Sequence, residues 1–297
     1  MALAELIFTA TTLIPQASAS ADSAQQAEQS ASQEPTIIVT APKSDAERRK
    51  ELREMARNVI RPPRQGRPIA RFFYPVCPKV VGLDPASAEA IEARIRANAE
   101  EFGIGANPDR DCTATVRVAF MSTRAGPPES WLSYSSPALA HLVKYQRQRV
   151  LEEDGPVRAW NKTKMRDFDG RPIRFDEGFA EIKAHRGAPI VTNEITGAAV
   201  LIGRKAAEGK SVRQLADYAS IRSFVGTGAA DGNALAPAQT ILALFQSDNP
   251  PSELTTFDRA LISQLYSTSK NSWQRRVYLN VAAQALRSER ESAERED

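Results

Sequence analysis

Histidine and cysteine are scarce in this 297-residue chain, at two each. A zinc hydrolase of the His-Glu-x-x-His kind needs two histidines one helical turn apart, flanking a glutamate. His141 stands in His141-Leu142-Val143-Lys144-Tyr145, which supplies neither partner. His185 has Glu181 and Glu194 nearby in sequence. That leaves open a mixed His–carboxylate site beside the plainer reading of a hydrogen-bonded structural histidine. No segment has the ~20 consecutive apolar residues of a membrane-spanning helix. No Gly-x-Ser-x-Gly elbow is present to expose a serine nucleophile. The net charge of +3 is too small to point to nucleic acid, and acids and bases are mixed along most of the chain, as on a solvated surface. No metal and no cofactor is expected.

What is present begins with a short apolar run, Leu6 to Ile14, followed by Pro15 and Ala17-Ser18-Ala19. That order matches a secretory signal peptide with a small-residue cleavage site, over about residues 1–21. No Lys or Arg precedes the run and Glu5 sits at its edge. A start upstream of Met1 would account for both departures. The expected location is periplasmic or secreted. In such a compartment an even, low cysteine count reads as a disulfide, here Cys77 with Cys112. By loop entropy that bond would contribute about 3–4 kcal/mol if unstrained.

Residues 22–66 read as a linker with one charged helix at about 45–59, opened by the capping pattern Ser44-Asp45-Ala46-Glu47 and ended by Pro62-Pro63. Within the linker, Thr36-Ile37-Ile38-Val39-Thr40-Ala41 resembles the box of Gram-negative outer-membrane transporters that pairs with an energy-coupling partner by strand addition. A β-prone linker patch is the plainer reading. Arg57, Arg61, Arg64, Arg67 and Arg71 form a stretch without acids. It is either a contact surface for phosphate, lipid head groups or an acidic partner, or simply a basic lead-in to the domain.

One α+β domain is expected over 67–287, with a small mixed sheet toward its N-terminal side and helices C-terminally. A strand over 70–76 is followed by a helix that Asp84-Pro85 opens and Gly103 closes, then by a strand over 113–120. This strand–helix–strand unit carries a cysteine near each end. Ser136-Pro137 opens a further helix with Leu139, Leu142, Val143 and Val150 inward. Weaker strands are read over 156–160 and 179–183, and a buried strand over 198–202. Ser211, with Gln214, caps the next helix. Helices are expected over 238–247, 256–267 and 272–287, then a disordered charged tail over 288–297.

Gly203 to Ser211 follows a strand and opens a helix, as a phosphate-binding loop must. It has five residues between glycines where that loop needs four, and Glu208 would repel phosphate. A turn and a helix cap explain the same residues, so no nucleotide partner is expected. Asp217 and Asp258 with neighbouring arginines are not distinguishable from surface ion pairs. Phe72, Phe73 and Tyr74 read as core rather than as a stacking platform.

Three segments carry a resemblance: Leu215 to Arg222, Thr240 to Phe245, and Phe257 to Leu261 continuing through Leu265-Tyr266. Together they resemble a group of exported Gram-negative proteins without an assigned activity. The layout is similar to that of zinc-protease-like exported domains, in which a strand leads into a helix carrying the metal motif. Here that helix has Gln214 and Asp217 and no histidine, so the resemblance implies a non-catalytic version. The functional expectation is a non-enzymatic envelope protein that binds another protein or an acidic envelope component. The alternative is a hydrolase, zinc-protease-like or other, with a site assembled from distant residues.

Overall fold

The structure, a computed structural model, describes residues 43–60, 67–167, 169–173, 191–227 and 239–296. The signal peptide, the Thr36–Ala41 box, Arg61, Arg64, the strand read over 179–183 and His185 lie outside the described residues. From Lys43 onward the described residues belong to one compact unit.

Helix α1 (Asp45–Val59) opens with a reciprocal cap: the Ser44 hydroxyl accepts from the Glu47 N–H, and the Glu47 carboxylate accepts from the Ser44 N–H. It is not part of a linker. Leu52, Met55, Ala56 and Val59, spaced as one helical stripe, are buried in the main core. Their partner is α7 (Gln274–Glu296), which lies antiparallel. Asp45 pairs with Arg290, and Arg48 with Glu289, at one end of the pair. The tail expected beyond residue 287 is therefore helix, extended by its contacts with α1.

Five strands form one mixed sheet: β1 (Arg71–Phe72), β2 (Pro78–Val81), β3 (Val116–Met121), β4 (Val157–Arg166) and β5 (Thr192–Gly203). β2 pairs in parallel with β3, and β3 in parallel with β5. β4 runs antiparallel along nearly the whole of β5. β1 adds a short parallel ladder at Glu194 and Ile195. The expected strand over 70–76 is thus shortened to Arg71–Phe72, and β2, over Pro78–Val81, is a further strand. Pro75 and Pro78 have no N–H to give a ladder, so pairing stops after Phe72 and resumes with Pro78 as a first strand residue.

Helix α2 (Pro85–Glu101) joins β2 to β3, capped by Asp84 with Pro85 at its first position. Gly82 makes the preceding turn possible. Its φ is 89°, and a Cβ there would sit 2.2 Å from the Phe120 carbonyl oxygen. Cys77 and Cys112 are bonded, with Cα atoms 6.1 Å apart, and so tie the two ends of this unit.

After β5 come a single helical turn, α4 (Arg204–Ala207), and α5 (Val212–Phe224). Gly209 turns the chain at φ 75°, and the Ser211 hydroxyl accepts from the Gln214 N–H. The whole stretch Leu215–Phe224 is buried, and most of its polar side chains find partners inside, Ser223 Oγ being an exception among the described residues. Asp217 accepts from Arg94 Nε at 2.8 Å, Asn98 Nδ2 at 2.8 Å and the Leu254 N–H at 3.0 Å. Arg222 pairs with Glu153 and donates to the Tyr218 hydroxyl. Asp258, in α6 (Thr256–Ser267), accepts from Thr240 Oγ1 at 2.6 Å and the Ile241 N–H at 2.8 Å. Asp217 and Asp258 are thus interior clamps and not surface ion pairs.

Residues 239–247, the described part of the helix expected over 238–247, are not α-helical. They make a single 3-10 turn at Ile241–Ala243, because Asp258 takes the Ile241 N–H and Thr240 Oγ1 accepts from the Leu242 N–H. The helix read from Ser136 is also divided, into a 3-10 turn at Pro137–Leu139 and α3 (Lys144–Leu151), with Val143 exposed as the cap.

Candidate ligand-binding cleft

Four buried side chains, Leu139, Leu142, Val150 and Trp160, form a small apolar cluster separate from the main core. They sit where the turn before α3, α3 itself and β4 come together. Above them opens a cleft of about 490 Å³, a size in the range of ligand pockets. Arg67, His141, Arg149 and Lys164 supply its basic and ionisable walls; Asn161, Asn193 and Gln146 supply amides. No carboxylate lines it among the described residues. The nearby acid, Glu194, is already held by Arg166 Nε at 2.5 Å.

Local sequence explains the geometry. The ladder between β4 and β5 slips at Lys162/Thr163, where Thr196 of β5 is left without an opposite residue. Such a bulge re-aims the side chains beyond it. Consecutive β4 residues, Trp160-Asn161 and Thr163-Lys164-Met165, therefore line one cleft. Among the described residues β4 pairs along one side with β5, and no strand pairs with its other side, where the Ala159 N–H donates to Glu153, the Met165 carbonyl accepts from the Ile173 N–H, and Arg166 bridges to Pro172. The cleft follows the stretch of that edge around Asn161 and Thr163.

Arg147 fixes the rim. Its guanidinium donates to the Leu142 carbonyl at 2.8 Å and the Ala140 carbonyl at 2.9 Å, holding the turn that carries His141. Desolvation, with Lys162 and Arg147 nearby, pushes the His141 imidazole below its ordinary value and favours its neutral form. Arg149 lies over the Tyr145 ring, 5.9 Å from its centroid. Among the described residues the arrangement has donors and positive charge but no paired base and nucleophile.

The structure divides the predicted basic stretch among three places. Arg57 is exposed on α1, and Arg67 reaches the cleft. Arg71 is corrected: it is buried, not a contact residue. Its guanidinium donates to the Thr268 carbonyl at 2.5 Å and the Ser269 carbonyl at 3.0 Å, and burial pushes it down to about 10. Gly203–Ser211 is a turn and a cap, as its sequence suggested. Phe72 packs edge-on against Phe224 in the core, whereas Tyr74 is exposed. His141 stands in the cleft without the carboxylates a metal site would require. Among the described residues no three His, Cys, Asp or Glu side chains cluster to hold a metal ion. No described helix is long and apolar enough to cross a membrane.

Sequence reasoning missed Arg149, Lys164, Trp160 and Asn161. One signal was available. Lys162, Lys164 and Arg166 alternate along β4, as cations do on exposed strand edges.

A scan against protein-family models finds no match, and searches of curated proteins and of solved structures return no similar chain.

Proposed function

We propose that this is a non-enzymatic binding domain of the cell envelope, and that the α3–β4 cleft holds an extended, acidic segment of a partner protein. The observation that carries this reading is the cleft's cationic lining, free of carboxylates among the described residues, along a strand edge that no described strand pairs with. An extended peptide adding to such an edge gains main-chain hydrogen bonds, while alternate side chains meet the walls. Acidic side chains would face Arg149 and Lys164. The apolar floor around Trp160 would take an intervening hydrophobic residue.

The envelope location is part of the same proposal. It is supported by the Leu6–Ile14 run, the Ala-Ser-Ala site and the Cys77–Cys112 bond, which suits an oxidising compartment. Kinship with the exported Gram-negative group also belongs to it.

Capture from envelope extract tests the reading, comparing the native chain with an Arg149→Glu/Lys164→Glu variant. The native chain should retain a partner whose affinity falls steeply with salt. The double reversal should weaken it at least about tenfold, as expected for close charge pairs. Equal capture by both chains would overturn the assignment of the cleft. Fractionation that leaves the native chain in the cytoplasm would overturn the location.

A further inference from the structure

The antiparallel pair of α1 and α7 has two dissimilar ends. Where Asp45 and Arg48 meet Glu289 and Arg290, each arginine has its carboxylate. At the other end, Arg53, Arg57 and Arg275 border a recess of about 390 Å³ with Gln274 and Tyr278. None of these three guanidiniums is ion-paired with a carboxylate among the described residues. Arg53 and Arg57 are one helical turn apart on α1, so their like charges oppose each other. They flank the stripe of Leu52 and Ala56 that α1 buries, which fixes their stems at the recess.

Two further features point into the same space. Tyr278 is 7% exposed and has no hydrogen-bond partner among the described residues, although it lines the recess. The ring is buried while its hydroxyl is reached by solvent, so the hydroxyl is free to donate into the recess. Burial raises its pKa, so it stays protonated and can donate. Gln274 and Arg275 begin α7, so their backbone N–H groups belong to the first turn, which has no intrahelical acceptors. The positive end of the α7 dipole meets the negative end of the α1 dipole here, so the charge of the recess comes from the arginines.

We propose that this recess is a second site, distinct from the α3–β4 cleft, that binds a phosphate group through Arg53, Arg57, Arg275 and the Tyr278 hydroxyl. A phosphate offers the oxygens to accept from several planar guanidiniums at once, a geometry arginine favours over lysine. It also supplies the negative charge that the arginine cluster lacks. The group can be that of a soluble phosphomonoester or of a lipid head group.

The test titrates the full chain with inorganic phosphate, with glycerol 3-phosphate, and with phosphatidylcholine vesicles containing phosphatidic acid. Calorimetry reads the soluble arms and co-sedimentation the vesicles. Arg53→Gln/Arg275→Gln should weaken binding at least tenfold. Tyr278→Phe, which keeps the buried ring, should weaken it several-fold, and Lys164→Gln in the other cleft should leave it unchanged. Binding to the soluble probes identifies a free phosphorylated ligand, and binding to vesicles alone identifies a lipid head group; each supports the site. No binding in any arm overturns it, as does binding that survives Arg53→Gln/Arg275→Gln with unaltered affinity. Circular dichroism and thermal melting confirm that each variant is folded. The outcome is independent of partner capture at the α3–β4 cleft.

Discussion

One face of the sheet sends Val116, Val118, Phe120, Ala159, Val200 and Ile202 into the large core beneath α2, α5, α6 and α7. The other sends Trp160 into a cluster completed by Leu139, Leu142 and Val150, with Ala199 and Leu201 packed against it. The two faces thus divide the labour of the fold. The helical face has depth and interior polar clamps, and a deleted side chain there leaves a hole that neighbours on every side prevent from closing. The cleft face is a single shallow layer against a turn and a short helix. It can readjust, and it is the face that carries the open, cationic surface.

The largest effect that would sharpen this contrast is expected from Phe224→Ala. Phe224 is fully buried and meets Phe72 edge-on at a centroid distance of 6.3 Å. Its loss should lower the unfolding free energy by about 4 kcal/mol, read from urea midpoints at unchanged slope. A loss under about 1 kcal/mol would mean that the helical face is as forgiving as the other.

Acidity probes the same face through Asp258. Burial raises its carboxyl from the ordinary 3.8 to about 6, against the Thr240, Ile241 and Thr255 donors that favour the anion. The native state therefore binds this proton more tightly than the unfolded chain does. The stabilisation is complete below about pH 4 and is lost as pH rises through 6. By linkage, the contribution is on the order of 3 kcal/mol. Asp258→Asn should flatten the stability profile between pH 4 and 7. An unchanged slope in that variant would show that other groups govern the profile.

On the cleft face, Leu139→Ala should cost less, about 2 kcal/mol, at the low end for a buried leucine because the thin cluster can collapse. It should also distort the turn carrying His141 and so reduce partner capture out of proportion to stability. If Leu139→Ala cost as much as Phe224→Ala, the two faces would be energetically alike and the comparison would fail.

Much of this fold was legible because its signals are local. Ser44 with Glu47, Asp84 with Pro85, and Ser211 with Gln214 name their helix starts within four residues of sequence, and the structure shows all three caps. The mixed sheet followed from periodicity, and the Cys77–Cys112 bond from an even, low cysteine count in the expected compartment and from the places of the two cysteines around one strand–helix–strand unit. What was illegible depends on partners far along the chain. The four apolar residues of α1 read as a weak stripe in a charged segment until α7 is placed against them. Arg71 looked like its neighbours because the Thr268 and Ser269 carbonyls that hold it are nearly 200 positions away. The helix over 238–247 was expected because the apolar run Ile241 to Phe245 has no face to contradict that reading, and the Asp258 side chain that diverts it is non-local. The cleft was hidden for a related reason. Its lining comes from six separated segments, and only the alternating cations of β4 hinted at it.

Strand β5 bonds directly to β1, β3 and β4, and it begins only at Thr192. A chain delivered N-terminus first therefore presents β2, α2 and β3 as a two-stranded unit with one bare side, stapled by its disulfide once oxidised. Two-stranded units are marginal by themselves. The molecule must then wait through roughly seventy further residues, on the order of several seconds of synthesis at typical elongation rates, for the strand that completes it. Slow emergence of β5 and long-range pairing together make assembly of the sheet, rather than helix formation, the step most exposed to misassociation.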